Sequence, residues 1–321
     1  MPSPSASLAT LRPDLAGSLE EFDLEANAAG YVGLNVFPTM EVGVQSGTYG
    51  KIPIEELLVS RETRRAPGAV YSRGNWKFTT GSYATEEHGT EEAVDKRESR
   101  LYANYFDAEM VSARRARHIV VQAHELRVAA ICNDTTTYSA QTTTATHEWD
   151  DDTNSVPIEN VDAAAEAMYD RTGLWPNLMI MTRKTFRNVR SSDQLLNRIE
   201  QVERTLPGDI NVAHLQAAFD IPRIIIANSV QNSANPGQSA SIASVWDDEM
   251  AVLLRVPMMN DIREPGFGRT FHWGEDGSRI GGTVESYYQT ETRSDVIRVR
   301  METDERVIYP ELIQIIDNLV T

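Results

Sequence analysis

Apolar residues recur at steps of three and four through residues 104–132, and the rest of the chain is organised around that stretch. Phe106, Met110, Ala113, Ala116, Val120, Ala123, Leu126 and Ala130 fall on one helical stripe. Asp107, Glu109, Arg114, Arg115, Arg117, His118, Glu125 and Arg127 take most of the other positions. No Pro or Gly interrupts the run, and Asn133, Asp134 and a Thr-rich segment close it. The spacing predicts one unbroken helix of about 40 Å, long for a compact domain. Such a rod suits the spine of a flattened subunit; the alternative is a long helix across the face of an α/β enzyme.

Before it the pattern is weak. Residues 1–35, with Pro2, Pro4 and several Ser and Ala, read as an N-terminal arm containing a short helix from Leu15 to Ala29. Residues 36–100 read as extended chain: Val36-Phe37-Pro38 and Ile52-Pro53-Ile54 as proline-interrupted edge strands, then the turn signal Ala66-Pro67-Gly68. Trp76 and Phe78 alternate with Lys77 and Thr79 as in a two-faced strand. So much charged, poorly self-packing chain predicts either a disordered insertion or a long hairpin whose partners are on other molecules.

After the helix the periods shorten. Helices are expected over Val161–Tyr169, Thr185–Val189, Ser192–Arg204 and Asn211–Phe219, with Asn211 as a cap. Buried strands are expected at Leu178–Met181 and Ile221–Ile226, giving a small α/β unit. Ile242–Trp246 and Ala251–Val256 read as a hairpin around Asp247-Asp248-Glu249, and Val284–Tyr288 with Val296–Met301 as another around Glu291-Thr292-Arg293. Leu312–Val320 closes the chain as a strand or short helix.

Composition narrows the function. A 321-residue chain that is 41% hydrophobic has ample material for a core, and no apolar run approaches the ~18 residues of a membrane helix. Met1–Thr10 lacks the charged and apolar regions of a signal peptide. Cys132 is the only cysteine, so no intrachain disulfide forms, a reducing cytoplasm is expected, and its place in the helix makes it a core residue. A net charge of −17 argues against direct nucleic-acid binding, although such a chain could line a container of nucleic acid. The basic residues are mostly Arg, with Lys only at positions 51, 77, 96 and 184.

Enzyme motifs fail one by one. Ile52 follows Gly50-Lys51 and Gln45 stands where a phosphate loop needs Gly. Gly266-Phe267-Gly268 lacks its third Gly, and Val128 replaces the second His after His124-Glu125. No Gly-x-Ser-x-Gly elbow occurs. Asp150, Asp152 and Asn154 imitate the start of a calcium loop, but Ser155 and Val161 replace its Gly and Glu. The six His read as ordinary surface or helix residues, and Glu86-Glu87 and Glu91-Glu92 lie in polar, exposed chain. Catalytic, cofactor and metal residues are therefore expected to be absent.

Several stretches in fixed order resemble the major capsid (coat) proteins of tailed bacteriophages, whose fold is shared with encapsulins and the herpesvirus capsid floor. Phe37-Pro38-Thr39-Met40-Glu41-Val42 and Gln45-Ser46-Gly47-Thr48-Tyr49-Gly50-Lys51 resemble that family's junction between N-terminal arm and extended loop. Arg64-Arg65-Ala66-Pro67-Gly68, then Tyr83 with Glu87-His88-Gly89, resemble the loop and its return. Trp149–Asn154, Pro157-Ile158 and Ala163–Ala167 are similar to the entry to the axial domain, and Pro176–Ile180 to its first strand. Leu215–Ile226 resembles the next helix and strand, and Pro265–Phe271 a late segment. Each motif encodes turns and packing; their order over residues 30–305 is what makes the resemblance specific.

The resemblance implies an α+β capsid fold. It divides into an N-terminal arm (1–45), an extended loop forming a long β-hairpin (46–90), a peripheral domain (91–155 and 266–305) with its spine helix, and an axial domain (156–265 and 306–321). It implies a structural protein that assembles with itself into hexamers and pentamers of an icosahedral shell around double-stranded DNA, without sequence-specific binding. Portal, scaffold or decoration proteins would be further partners, no cofactor or membrane would be involved, and assembly would occur in the host cytoplasm. An encapsulin-like compartment shell and a soluble α/β enzyme are the alternatives. Arg61, Arg64, Arg65, Trp76, Lys77 and Phe78 are the candidate intersubunit contacts, the arginines being expected to reach acidic surface near a neighbour's spine helix. Some family members link a loop Lys covalently to an Asn; Lys77 lies in that region, but no motif assigns either partner.

Overall fold

The computed structural model describes residues 10–11, 30–75, 77–102, 107–200, 210–235, 237–259, 261 and 264–321. The elements begin with β1 (Thr10–Leu11), α1 (Gly33–Val36), β2 (Thr39–Val42), β3 (Ser46–Lys51), α2 (Ile54–Leu57), β4 (Thr79–Ala84), β5 (Glu86–Asp95) and α3 (Lys96–Tyr102). The middle of the chain gives α4 (Ala108–Cys132), β6 (Thr142–Thr144), α5 (Pro157–Thr172), β7 (Leu178–Thr182), α6 (Arg183–Val189), α7 (Asp193–Glu200) and α8 (Val212–Phe219). Then follow β8 (Ile224–Ala227), β9 (Val230–Asn232), β10 (Ile242–Ser244), β11 (Ala251–Leu254), β12 (Gly268–Trp273), β13 (Thr283–Gln289), β14 (Ser294–Val307) and β15 (Ile313–Asp317).

Two sheets carry the molecule. The first has six strands, in the order β1-β13-β14-β12-β2 with β5 also on β14. The 14-residue β14 makes this possible: Ser294–Thr303 pairs with β5 along one side, and β13 and β12 share the other. The second sheet has five strands, β6-β15-β11-β7-β8. Every residue of β7 and β11 is buried, so both faces of this sheet are covered. Met179, Met181, Ala251 and Leu253 face α5 and α8 through Val161, Met168 and Phe219, while Leu178, Ile180, Val252 and Leu254 face the other way.

The long helix joins the two sheets. The N–H groups of Glu109 and Met110 donate to the Asp107 carboxylate, which caps α4. Ala113, Ala116 and Val120 pack on Val284, Ile297, Val299 and Met301 of the first sheet. Val128, Ala129 and Cys132 pack with Leu178, Ile180 and Val252 on the second. The stripe therefore turns as it passes from one sheet to the other. Ala123 and Leu126 are only half-buried and Ala130 is exposed, while Arg117 and Glu125, expected off the stripe, are buried, and so is His124. Phe106, with the rest of 103–106, and the helix expected over 15–29 lie outside the described residues.

Other expectations are corrected too. The pieces around Val36 and Ile54 are one-turn helices; Pro53 stands at the N-cap of α2, where its missing N–H costs nothing. β10 pairs with β9, and β11 lies between β7 and β15, so the acidic turn at Asp247 joins no hairpin. The strand expected through Lys77 and Phe78 begins only at Thr79. The acid-rich stretch Glu86–Asp95, read only as polar extended chain, forms β5 on β14, where Arg298 takes up Glu91 at 2.7 Å.

Candidate intersubunit surface

The β3–β4 hairpin is anchored at its base and free at its end. Its register runs from Ser46↔Ala84 to Lys51↔Thr79. The Tyr49 and Tyr83 rings stack on Phe271 of β12 with centroids 5.5 and 4.7 Å away. Gln45 and Thr85 donate to Glu302, the Ala84 N–H donates to Asp304, and Lys51 Nζ donates to the Ile308 carbonyl at 2.9 Å. The hairpin thus leaves the first sheet along a fixed direction.

Beyond the anchor, residues 58–75 are exposed without interruption, a solvent-facing run that no apolar pattern ties to the chain's own core. Val70 and Tyr71 stand 78% and 68% exposed there. Arg65 Nε donates to the Ala69 carbonyl at 2.6 Å while its guanidinium lies over the Tyr71 ring. The Arg61 guanidinium lies against Gly74, and the Arg64 N–H donates to the Glu62 carboxylate. Among the described residues, none of Arg61, Arg64 and Arg65 has an ion pair with a carboxylate. The three arginines thus share one exposed loop, each with its own local contacts. Lys77 and Phe78 are exposed on the return, and Trp76 lies outside the described residues.

Three polar joints, each centred on a buried side chain, hold the body that carries this hairpin, and sequence reasoning missed all of them. Glu125, 1% exposed, accepts N–H groups from Val32 at 3.0 Å, Gly33 at 2.6 Å and the Trp246 indole at 2.6 Å. It fastens the incoming chain and the second sheet to α4; burial pushes its carboxyl up, against the pull of these donors. Gly33 is required at this contact, because a Cβ there would lie 2.7 Å from the Glu125 carboxylate.

Arg127 forks onto Glu305 at 2.7 and 3.0 Å, with His124 Nε2 3.5 Å from the same carboxylate. Burial nevertheless lowers His124 to about 4, so the imidazole is neutral there at pH 7. His272 forms the third joint, with Nδ1 2.7 Å from Glu41 and Nε2 3.3 Å from Ser278 Oγ. That order of groups is the one found at nucleophilic serines. Here Ser278 Oγ also accepts the Glu302 N–H at 3.1 Å, and Ser278 is 4% exposed, so the trio serves to tie edge strand β2 to β12 and β14. Only His124 leaves a sequence signal, a seven-residue step from Arg117 that continues the helix stripe; the partners of all three joints leave none.

Asp150, Asp152 and Asn154 belong to a turn in which the Asp151 carboxylate accepts the Thr153 and Asn154 N–H groups. Among the described residues there is no group of three His, Cys, Asp or Glu side chains placed to hold a metal, and no helix long and apolar enough to cross a membrane. Cys132 is fully buried and its thiol pushed up by burial, as befits a core residue.

No family model matches the chain. The major capsid protein of Burkholderia phage BcepMu is 23% identical over 251 residues, covering 75% of this chain and 78% of that protein. Among solved structures, a phage-related protein from Bordetella bronchiseptica RB50 superposes with a TM-score of 0.69 at 21% identity, over 96% of this chain and 97% of that one. The capsid of cyanophage P-SCSP1u gives 0.58 at 10% identity, over 89% and 87% of the two chains. This chain has the tailed-phage major capsid fold. The SrpI encapsulin of Synechococcus elongatus PCC 7942 is similar as well, with a TM-score of 0.53 at 13% identity over 89% and 86%. Within the capsid fold seen here, the 58–75 loop is the longest uninterrupted exposed run among the described residues.

Proposed function

We propose that this chain is the structural coat subunit of a bacteriophage capsid, assembling with itself into hexamers and pentamers of an icosahedral shell around double-stranded DNA. The observation that carries the reading is the long exposed loop, anchored rigidly at its base and bearing arginines without carboxylate partners. A monomer gains nothing from such a loop, whereas a subunit that buries it on a neighbour gains contact at every copy. The capsid fold and the phage coat protein found as a sequence relative support the same reading. The chain divides in this reading into arm 1–45, extended loop 46–90, peripheral domain 91–155 with 266–305, and axial domain 156–265 with 306–321. Its role is structural, with no reaction to catalyse, and its place is the virion after assembly in the host cytoplasm. Portal, scaffold or decoration proteins are its further partners.

The direct test replaces Arg61, Arg64 and Arg65 by Glu together. The variant is expected to keep its fold by circular dichroism and thermal melting, because exposed positions usually shift stability by under about 0.5 kcal/mol. It is expected to lose closed particles by electron microscopy. Normal particles would show that the loop is not the intersubunit clamp.

The second reading, an encapsulin-like shell that loads an enzyme, draws on the similarity to the Synechococcus encapsulin. The phage coat protein is the sequence relative, which puts the capsid first. Genes for portal, protease and terminase beside this one would decide for the phage.

A further inference from the structure

The unpaired arginines need a receptor, and the spine helix is poorly suited to be one. Its exposed face around Val111 and Ile119 carries Arg114 and Arg115, which would repel a basic loop. The complementary surface lies on the second sheet's helical cover. A groove of about 480 Å3 runs between α5, the end of α8 and the start of β7, lined by Asp162, Glu166, Trp175, Phe219, Asp220 and Arg255. Its floor is apolar and aromatic, and its rim is acidic.

Two features mark the groove as unfinished in the single subunit. Trp175 is 51% exposed although it stacks on Tyr169 with centroids 4.6 Å apart, so a large aromatic face is left to water. The rim carboxylates crowd one another: the Asp162 carboxyl is pushed up by burial and then by Glu166, with Asp220 and Glu159 adding and Arg198 opposing. Among the described residues Arg255 is the one cation lining the groove, and its Nη1 donates to the Trp175 carbonyl at 3.0 Å. A cationic, partly apolar visitor would relieve both the exposed ring and the crowded charge.

The same chain supplies such a visitor. Its loop offers Arg61, Arg64, Arg65 and Arg73 without carboxylate partners among the described residues, beside the exposed Val70 and Tyr71. We propose that the groove at Asp162, Glu166 and Trp175 is the receptor for the arginine-bearing loop of a second copy of this chain. This rests on the reading of the chain as a shell subunit, and adds which surface of the neighbour the loop engages. The guanidinium groups fork onto the rim carboxylates, and the apolar part of the loop covers Trp175.

The test is disulfide trapping in assembled full-length protein. Cys132 is buried at 0% exposure, so the native thiol stays out of the reaction. Subunits carrying Arg64→Cys are co-assembled with subunits carrying Glu166→Cys and oxidised, and the product is read on a non-reducing gel. A covalent dimer is expected, absent when the second partner carries Ile119→Cys on the spine helix. Particles that form without the first dimer, or that trap Ile119→Cys instead, overturn the receptor while leaving the shell reading intact. Wild-type protein that never assembles overturns both. Should the cysteine variants fail to assemble, a charge exchange decides: Asp162→Arg with Glu166→Arg should restore particles to the Arg61→Glu, Arg64→Glu, Arg65→Glu variant. Failure of that exchange, with each chain folded by circular dichroism, counts against the groove.

Discussion

At the scale of residues, the fold depends on polar groups buried where apolar ones would be guessed. Glu125 satisfies three donors from two separate segments, and an alanine there leaves those N–H groups without acceptors. Glu125→Ala is expected to cost roughly 3 kcal/mol or more of subunit stability, measured by urea unfolding, with Glu125→Gln costing less. His124 sets a pH dependence. The unfolded chain takes up a proton at this side chain near 6.5, whereas the folded chain does so only near 4. Protonation therefore favours unfolding, and stability should fall as pH drops through that window, by on the order of 3 kcal/mol in full. Glu125, pushed up by burial, works in the opposite sense, so the decisive comparison is with His124→Gln, whose unfolding midpoint should vary less between pH 6.5 and 4. Little of this is legible in the sequence: the step from Arg117 to His124 marks one position on the stripe, and nothing marks its partners. A hydrophobic stripe reports which positions face inward on average, and His124 and Glu125 face inward where two sheets meet and polar partners arrive from far along the chain.

At the scale of elements, what was legible followed local rules. The capped helix α8, the β13–β14 hairpin and the uninterrupted α4 obey caps, turn residues and period, and all three are present. What was missed depended on distant partners: β5 is read as a strand only beside the arginines of β14, and β11 goes to a sheet centre, not to a hairpin. Close packing gives one sharp expectation. A Cβ on Gly268, the first residue of β12, would overlap the Phe37 ring, which is fully buried and cannot swing aside. Gly268→Ala should cost about 1–3 kcal/mol, seen as a lowered melting temperature. The hairpin gives another. Trypsin should cut the unassembled chain first at Arg61, Arg64, Arg65 or Arg73 and leave the body intact, while assembled protein resists at the same sites. Equal cutting in both states would mean the loop stays bare after assembly.

At the scale of the whole molecule, charge and assembly come together. A net charge of −17 per subunit, repeated over a shell, would repel packaged DNA from the wall and keep it mobile. The free subunit should give no discrete complex with duplex DNA in a gel shift at physiological salt, and a tight complex there would contradict this picture. Among the described residues, the exposed loop and the acidic groove are surfaces that a single chain leaves open, and the proposed docking of one on the other would cover both. The most direct measurement is therefore the mass of the purified full-length protein in solution, by light scattering with negative-stain microscopy across salt and concentration. Rings or closed particles of many subunits are the expected result. A single species near the chain mass of 35.8 kDa under every condition would contradict the account.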